Sequence, residues 1–172
     1  MKEFDIKTGP FGSTLHADDY VENGTPIITT EHFKDGKLPK QGDDIPQVSE
    51  TDMNRLSQYR LTLHDIVFSR VGSVDLNAEV TEQQVGWLFS GRVLRVRPDN
   101  SIDSTYLHYA LSTDEVRRSV VERAVGLTMA SINTGILGDT SFKAPTALPE
   151  QHLIGDLLSR LDSLITLHQR KH

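Results

Sequence analysis

The chain has 172 residues, a formal net charge of −6 at pH 7, and 37% hydrophobic and 24% charged residues, which suits a soluble chain able to bury a core. It contains no cysteine, which excludes disulfides and thiolate metal sites. No apolar run approaches the roughly 18 residues of a membrane span, and the residues after Met1 do not resemble a signal peptide, so we expect a cytoplasmic protein.

The negative charge is concentrated in the first third of the chain. Residues 1–54 hold 5 basic and 11 acidic side chains, whereas the rest of the chain is balanced. Arginine supplies 11 of the 13 basic residues after position 54. Because arginine serves guanine edges, phosphates and ordinary ion pairs equally well, the composition permits DNA binding without demonstrating it.

The first third is predicted to contain short strands separated by turns. Residues 4–8 alternate like a strand, and residues 26–30 follow an Asn-Gly turn and have the pattern of a buried strand. A polar loop then runs to about residue 48 and carries His32 and Lys34. Neighbouring carboxylates such as Asp43 and Asp44 are usually solvated, so no metal site is expected in this loop.

The middle of the chain holds the strongest strand signal. A short helix over residues 51–59 precedes a strand over 63–74, in which Ile66 and Phe68 share one face. The strand leads into a turn containing Ser69, Arg70 and Ser73. These side chains either present hydrogen-bond donors to a ligand or form an ordinary surface turn.

Two further strands are predicted within residues 78–81 and 86–98. In the second, Arg92, Arg95 and Arg97 are interleaved with apolar residues. Since successive side chains of a strand point to opposite faces, Arg95 and Arg97 share the face opposite Leu94 and Val96, which is expected to be the solvent face of a half-buried sheet.

Helices follow over residues 104–111 and from the capping sequence at Ser112 onward. A stretch of small residues over 126–135 carries Thr128, Ser131 and Asn133, whose polar groups would bond either a groove or a neighbouring loop. Residues 142–145 are predicted to form a last short strand.

The chain ends in a predicted helix that begins at Pro149, a residue favoured in the first helical turn. Its apolar residues follow a heptad pattern with one widened flank. The residues of this face are Ile154, Leu157, Leu158, Leu161, Leu164 and Ile165. The helix either packs on its own domain or faces a partner helix, in a second copy or in another protein. We therefore divide the chain into a domain over 1–148 and a helix over 149–172.

Recognisable catalytic motifs are missing from the sequence. It lacks the Asn/Asp-Pro-Pro-Tyr box of an adenine N6-methyltransferase, a G-x-G-x-x-G loop, an H-E-x-x-H motif and a G-x-S-x-G elbow. We therefore expect a non-enzymatic chain that uses no cofactor and no metal.

Seven stretches, taken together and in order, resemble the specificity (S) subunits of type I DNA restriction–modification enzymes. They are Gly9-Pro-Phe-Gly-Ser13 with Asp19-Tyr20, Gly24-Thr-Pro-Ile-Ile28, Asp65-Ile-Val-Phe-Ser-Arg-Val-Gly-Ser73, Tyr106-Leu-x-Tyr-x-Leu111, Gly126-x-Thr-x-x-x-Ile-Asn133, Pro149-Glu-Gln151 and Leu161-Asp162-x-x-Ile165. Each stretch alone is weak, but together they cover nearly the whole chain.

The resemblance implies an α/β (α+β) target recognition domain with a mixed, largely antiparallel sheet and a C-terminal coiled-coil-type helix. In the family, two such domains read the two halves of a split DNA site, held apart by paired antiparallel helices. Methyltransferase subunits carry the adenine methylation, and a motor-nuclease subunit cleaves. The sequence departs from this pattern in having one recognition domain, a spacer helix that reaches only His172, and Asp75 where a glycine is common. The chain is therefore expected to be either a half subunit that must dimerise or a fragment of a longer protein.

Two functional hypotheses follow. The first is a non-catalytic reader of double-stranded DNA, working with methyltransferase and restriction subunits and paired through its last helix. Its candidate DNA-binding residues are His32, Lys34, Ser69, Arg70, Ser73, Arg92, Thr128, Ser131 and Asn133. The second is a protein-interaction module that docks through that helix without reading DNA.

Overall fold

A computed structural model describes residues 1–10, 14–33 and 36–169. Its strands are β1 (Asp5–Thr8), β2 (Tyr20–Val21), β3 (Thr25–Ile28), β4 (Gln47–Val48), β5 (Ile66–Ser69), β6 (Asn77–Glu79), β7 (Leu88–Phe89) and β8 (Val93–Arg97). Its helices are α1 (Glu50–Arg55), α2 (Ser104–Leu111), α3 (Asp114–Arg123), α4 (Thr134–Gly138) and α5 (Leu148–Gln169). The predicted mixture of helices and strands is confirmed, and so is the long last helix.

The strands form two four-stranded sheets. The first has the order β1-β8-β5-β6 and is antiparallel throughout. The second has the order β2-β4-β3-β7, with β3 and β7 parallel and the other pairs antiparallel. The sheet content is therefore mixed and largely antiparallel, as predicted.

Both faces of β5 are buried because the first sheet lies between two apolar layers. Ile66 and Phe68 pack with residues of α2, α3 and α4, which confirms their shared face. Val67 points the other way and packs with residues that include Phe89 of the second sheet. A third cluster, which contains Met53 of α1, covers the far side of the second sheet. The domain is thus built in layers, with the first sheet at its centre.

Because of this layering, the prediction that Arg95 of β8 faces solvent is wrong. Its side chain is only 2% exposed, and its Nη2 donates to the Asp5 carboxylate. Among the described residues, its Nε has no hydrogen-bond partner. Arg97 is half-buried and makes a two-pronged ion pair with the buried Asp65, at 2.7 and 2.8 Å. Both arginines therefore stabilise the fold through ion pairs and are not free surface charges.

Three local predictions need correction. The strand predicted over residues 63–74 is limited to β5, because the chain turns away at Arg70. Ser112 ends α2 rather than capping α3, and its hydroxyl donates to the carbonyl of His108. Residues 142–145 form no strand; side chains instead satisfy the carbonyls of Lys143 and Pro145, which accept from Tyr106 and from Gln151.

Helix α5 packs beside α2 through small and polar residues. Gly155 lies so close to α2 that a Cβ there would be 2.9 Å from the backbone nitrogen of Tyr106. Gln151 is buried, and its side-chain oxygen accepts a hydrogen bond of 2.9 Å from the backbone of Asp103. One face of the helix is thus held against its own domain. The division into residues 1–148 and 149–172 stays a prediction.

Candidate nucleic-acid interface

A cleft of about 660 Å³ opens where the turn after β5 meets the turn between β7 and β8. The first turn supplies Arg70 and Val71 to its wall, and the second supplies Ser90, Gly91 and Arg92. The opposite wall comes from the N-terminal third of the chain. Its residues are Pro10, Leu15, His16, Tyr20, Thr29, Thr30, Glu31 and Pro46. We call this feature the recognition cleft.

Arg70 binds the separate segments of the recognition cleft to one another. Its Nη1 donates to the carbonyl of Gly91 at 2.8 Å, and its Nε donates to the carbonyl of Ile132 at 3.1 Å. Its backbone N–H donates to the carbonyl of Arg92 at 2.9 Å. These bonds connect the ends of two strands with the segment that leads into α4. Arg70 therefore positions the cleft, whatever else it contacts.

Arg92 differs from Arg70 in being exposed at the rim of the cleft. Tyr20 lies on the facing wall, where burial raises the pKa of its hydroxyl and the positive charge of Arg92 opposes the shift. An exposed guanidinium and a phenol hydroxyl in the same cleft offer hydrogen-bond donors to an anionic or base-edge acceptor. Arg92 is thus the predicted residue best placed to meet a ligand in the cleft.

Three predicted residues lie on or beside a hairpin over residues 125–131 that adjoins the cleft. Thr128 is exposed near the tip of the hairpin. Ser131 pairs with both Val125 and Val71 in short antiparallel bridges, so the hairpin joins the turn after β5. Asn133 caps α4, because its side-chain oxygen accepts from the backbone of Ile136 at 2.9 Å. Asn133 therefore has a structural role, whereas Thr128 faces solvent.

The remaining predicted residues have different surroundings. Ser69 is only 1% exposed, so its hydroxyl is not presented at the surface, and its DNA contact stays a prediction. Ser73 is exposed on the turn after β5. His32 accepts a hydrogen bond of 3.1 Å from the backbone of Thr29 and thereby stabilises the short turn that borders the cleft. Lys34 lies outside the described residues.

Sequence reasoning missed several side chains of the recognition cleft. Tyr20 belongs to a stretch that carried the family resemblance, but it was not predicted as a site residue. His16 and Thr30 gave no signal, because only the packing of the two sheets brings them beside Arg92. Glu31 adds an acidic group to the same wall. The cleft is therefore assembled from parts of the chain that are remote in sequence.

A second surface lies on α5, and it faces away from the domain. Ile154 and Leu158 are half-buried, whereas the other predicted residues of the helix are exposed, with Leu164 reaching 63%. The exposed members are Leu157, Leu161, Leu164 and Ile165, and they are joined by Leu153 and Leu167. Since a helix turns about 100° per residue, these side chains project opposite Gly155. We call them the leucine face.

The face of α5 that touches the domain is polar at its far end. The Tyr109 hydroxyl donates to the Asp162 carboxylate at 2.9 Å, and the Lys37 ammonium donates to the hydroxyl of Thr166 at 2.9 Å. Desolvation and the Asp162 carboxylate together raise the pKa of Tyr109 well above its usual range. Packing on its own domain therefore accounts for the polar face of the helix, and the side chains of the leucine face remain 46–68% exposed.

The described residues contain neither a metal-binding cluster nor a membrane-spanning helix. No group of three or more His, Cys, Asp or Glu side chains is arranged to hold a metal ion there. No helix in the described part of the chain has the length and apolar character needed to cross a membrane.

The family model for the type I restriction modification DNA specificity domain matches residues 4–172. The chain therefore belongs to this family, and the resemblance seen in its sequence is confirmed. It is similar to the putative type I restriction enzyme MjaX specificity subunit of Methanocaldococcus jannaschii, with 31% identity over 152 residues. That match covers 83% of this chain and 34% of the relative, so the chain spans about a third of the relative's length.

Solved structures share the fold at low sequence identity. The type I restriction-modification S subunit of M. genitalium matches with a TM-score of 0.62 and 16% identity, over 93% of this chain and 37% of that one. The HsdS subunit of Thermoanaerobacter tengcongensis matches with a TM-score of 0.66 and 18% identity, over 98% and 37%. A chain from a structure on complex assembly and conformational transition of the type I R-M system matches with a TM-score of 0.70 and 18% identity. That match covers 98% of this chain and 38% of the other chain.

Proposed function

We propose that this chain reads one half of a split DNA site for a type I restriction–modification system and performs no chemistry itself. The observation that carries the proposal is the family match across residues 4–172. In the proposed complex, methyltransferase subunits methylate adenine at N6 and a motor-nuclease subunit cleaves. The chain supplies only the choice of sequence, and it needs no cofactor for that task.

The recognition cleft supports this role because an exposed arginine lies there among hydrogen-bonding groups. Arg92 is exposed there and suits a guanine edge or a phosphate oxygen. Ser73 and Thr128 are exposed hydroxyl groups on the adjoining turn and hairpin. Arg70 keeps these segments in register through its bonds to Gly91 and Ile132. In this arrangement, base reading falls to the exposed side chains and positioning falls to Arg70.

The leucine face supports pairing with a second recognition domain. Six large apolar side chains on one helix face are typical of a seam that packs against another helix. The chain spans about a third of its relative, so the second domain is a second copy, another domain of a longer protein or a separate chain. A pair of identical chains would be two-fold symmetric and would present two recognition clefts. Such a pair is the form of the protein that we propose binds a split site.

A selection experiment tests the proposal. The full chain is incubated with a library of random duplexes, alone and with the cognate methyltransferase subunit, and bound DNA is sequenced. A parallel selection with the methyltransferase subunit alone is the control. We expect a common motif only where the chain is present. Absence of any enriched motif in both arms that contain the chain contradicts DNA reading.

The alternative is a protein-interaction module, and the leucine face is the observation that favours it. Salt dependence separates the two functions. A reader that contacts several phosphates loses affinity steeply as salt is raised, because binding releases counterions from DNA. A module that docks only through α5 gives no specific DNA complex at low salt, and its association with a partner protein weakens little, because the leucine face is uncharged.

A further inference from the structure

The hairpin over residues 125–131 carries an apolar tip that the proposed contacts do not use. Leu127 at the tip is fully exposed, and Val125 and Met129 are each more than half exposed. No charged residue occurs anywhere from Ala124 to Gly138. A fully exposed leucine with apolar neighbours is unusual on a protein surface and indicates a contact with another molecule.

The backbone of this hairpin is fixed before any partner arrives. Val125 and Ser131 exchange two backbone hydrogen bonds of 2.9 and 2.8 Å. Gly126 has a φ of +115°, and a Cβ at that position would lie 2.3 Å from the carbonyl oxygen of Met129, so a glycine is required for the turn. A tip that is already ordered loses little entropy when it binds.

The hairpin is bonded directly to the turn that carries Arg70. The backbone N–H of Gly72 donates to the carbonyl of Ala130 at 2.9 Å, and that of Ile132 donates to the carbonyl of Arg70 at 2.9 Å. A duplex that occupies the recognition cleft is therefore adjacent to the hairpin as well. The hairpin carries no acidic group that would repel the phosphates.

We propose that Leu127 makes an apolar contact with base pairs in a groove of the bound duplex. This inference rests on the proposed DNA-reading function. Thymine methyl groups and the faces of partly unstacked base pairs are the apolar surfaces that DNA offers to such a side chain. The contact neutralises no phosphate, so its contribution is independent of salt. In this property Leu127 differs from Arg92, which acts through its charge.

The test measures the affinity of the full chain for a duplex recovered by the selection above, across a series of salt concentrations. Leu127→Ala is expected to weaken binding about tenfold at every salt concentration and to leave the salt slope unchanged. Leu127→Met retains the apolar surface and should bind like the wild type. Leu63→Ala is the matched control, because Leu63 is also an exposed leucine but lies before β5, at the end away from the hairpin. Arg92→Ala should reduce the salt slope by about one.

Each outcome has a definite meaning. If the DNA affinity of Leu127→Ala is within about twofold of the wild type while Arg92→Ala shows a smaller salt dependence, the proposed contact of Leu127 is contradicted and the proposed DNA-reading function is retained. If Leu127→Ala binds DNA normally but no longer associates with the methyltransferase subunit, the hairpin serves a protein partner instead. If the selection recovers no duplex, the proposed function and this inference both fail.

Discussion

At the scale of single residues, His108 is a buried titratable group with a defined hydrogen-bond partner. Its Nδ1 is 2.7 Å from the side-chain oxygen of Asn77, whose nitrogen donates to the hydroxyl of Ser112. Since the Asn77 oxygen only accepts, Nδ1 carries the ring proton. Desolvation lowers the pKa of His108 below its ordinary value of 6.5, and the charges of Glu79 and Asp162 oppose this shift only in part.

We expect the free energy of unfolding to fall as the pH is lowered through 6.5. The unfolded chain then binds a proton at His108 that the folded chain resists, so stability is present above the unfolded pKa and is lost below it. His108→Gln should flatten this part of the pH profile, measured by urea unfolding between pH 5 and 7.5. The control His16→Gln changes an exposed histidine and leaves His108 in place, so the slope should be retained. An unchanged slope in His108→Gln contradicts this assignment.

Substitutions of the two arginines of the recognition cleft should have different effects on folding stability and on DNA binding. Arg70→Ala removes hydrogen bonds to the carbonyls of Gly91 and Ile132 and should lower the free energy of unfolding by about 1–3 kcal/mol, with weaker DNA binding as a consequence. Arg92→Ala removes an exposed side chain and should change stability by less than about 0.5 kcal/mol. Urea unfolding and DNA titration of both variants check this. Equal stability of the two variants would refute the positioning role of Arg70.

At the scale of elements, the contact between α2 and α5 depends on one close approach. A Cβ at Gly155 would lie 2.9 Å from the backbone nitrogen of Tyr106 and 3.3 Å from the carbonyl carbon of Thr105. Backbone atoms cannot yield as a flexible side chain does. The helix would therefore have to move outward, which weakens the buried hydrogen bonds of Gln151 with Asp103 and Pro145.

Gly155→Ala is expected to destabilise the chain by about 1 kcal/mol. Alanine favours a helix over glycine by about 1 kcal/mol, but overpacking typically costs about 1–3 kcal/mol, so the clash dominates. Leu157→Ala on the same helix is the control and should cost less than about 0.5 kcal/mol in a single chain, because Leu157 is exposed. Urea unfolding at low protein concentration measures both. A Gly155→Ala variant that is more stable than the wild type would show that the close packing of Gly155 on α2 is not required.

Local patterns predicted most elements, because those elements are governed by their own residues. The alternation around Ile66 and Phe68 located β5, and the apolar repeat after Pro149 located α5. Burial on both faces of a strand is different, since it depends on which layers stack on the sheet. The sequence around Arg95 looks half-solvated, yet the second sheet covers that face. The orientation of α5 was likewise open until Gly155 and Gln151 were seen to contact α2.

The candidate site was predictable only in part, for the same reason. The turn after β5 was predicted from its glycine and hydroxyl residues, whereas residues 126–135 were predicted only as a stretch of small and polar residues and not as a hairpin. The two segments contact each other through Val71 and Ser131, which are 60 residues apart, so no local sequence pattern predicts this contact. Tyr20 reaches the cleft through the second sheet. The burial of Ser69 and the capping bond of Asn133 are properties of the folded chain that no local pattern indicates.

At the scale of the whole molecule, we expect the chain to form a two-fold symmetric dimer through the leucine face. The wild type should have a mass near twice 19.2 kDa by light scattering, whereas the double variant Leu161→Asp with Ile165→Asp should be monomeric. Ser163→Asp adds a charge at an exposed position outside the leucine face and should remain dimeric. Because these side chains are exposed, the domain itself should unfold with unchanged free energy at low concentration.

The duplexes recovered by the two forms should differ accordingly. A symmetric dimer selects two inverted half-sites with a fixed spacing, and the monomeric variant selects a single half-site. A wild type that stays monomeric at all concentrations would mean that the leucine face binds a different chain or another part of a longer protein. An uninterrupted, asymmetric motif from a dimer would contradict two-fold pairing.

Among the described residues, the recognition cleft and the contacts that hold α5 have no member in common. The cleft draws on turns near Arg70 and Arg92, and the helix is held by Gln151, Gly155 and Asp162. Mutations that alter the first set therefore leave the second set unchanged. In the proposed function, a lineage can acquire a new DNA target by drift or recombination while it keeps the same assembly. Changes of target and retention of partners are in this way inherited separately.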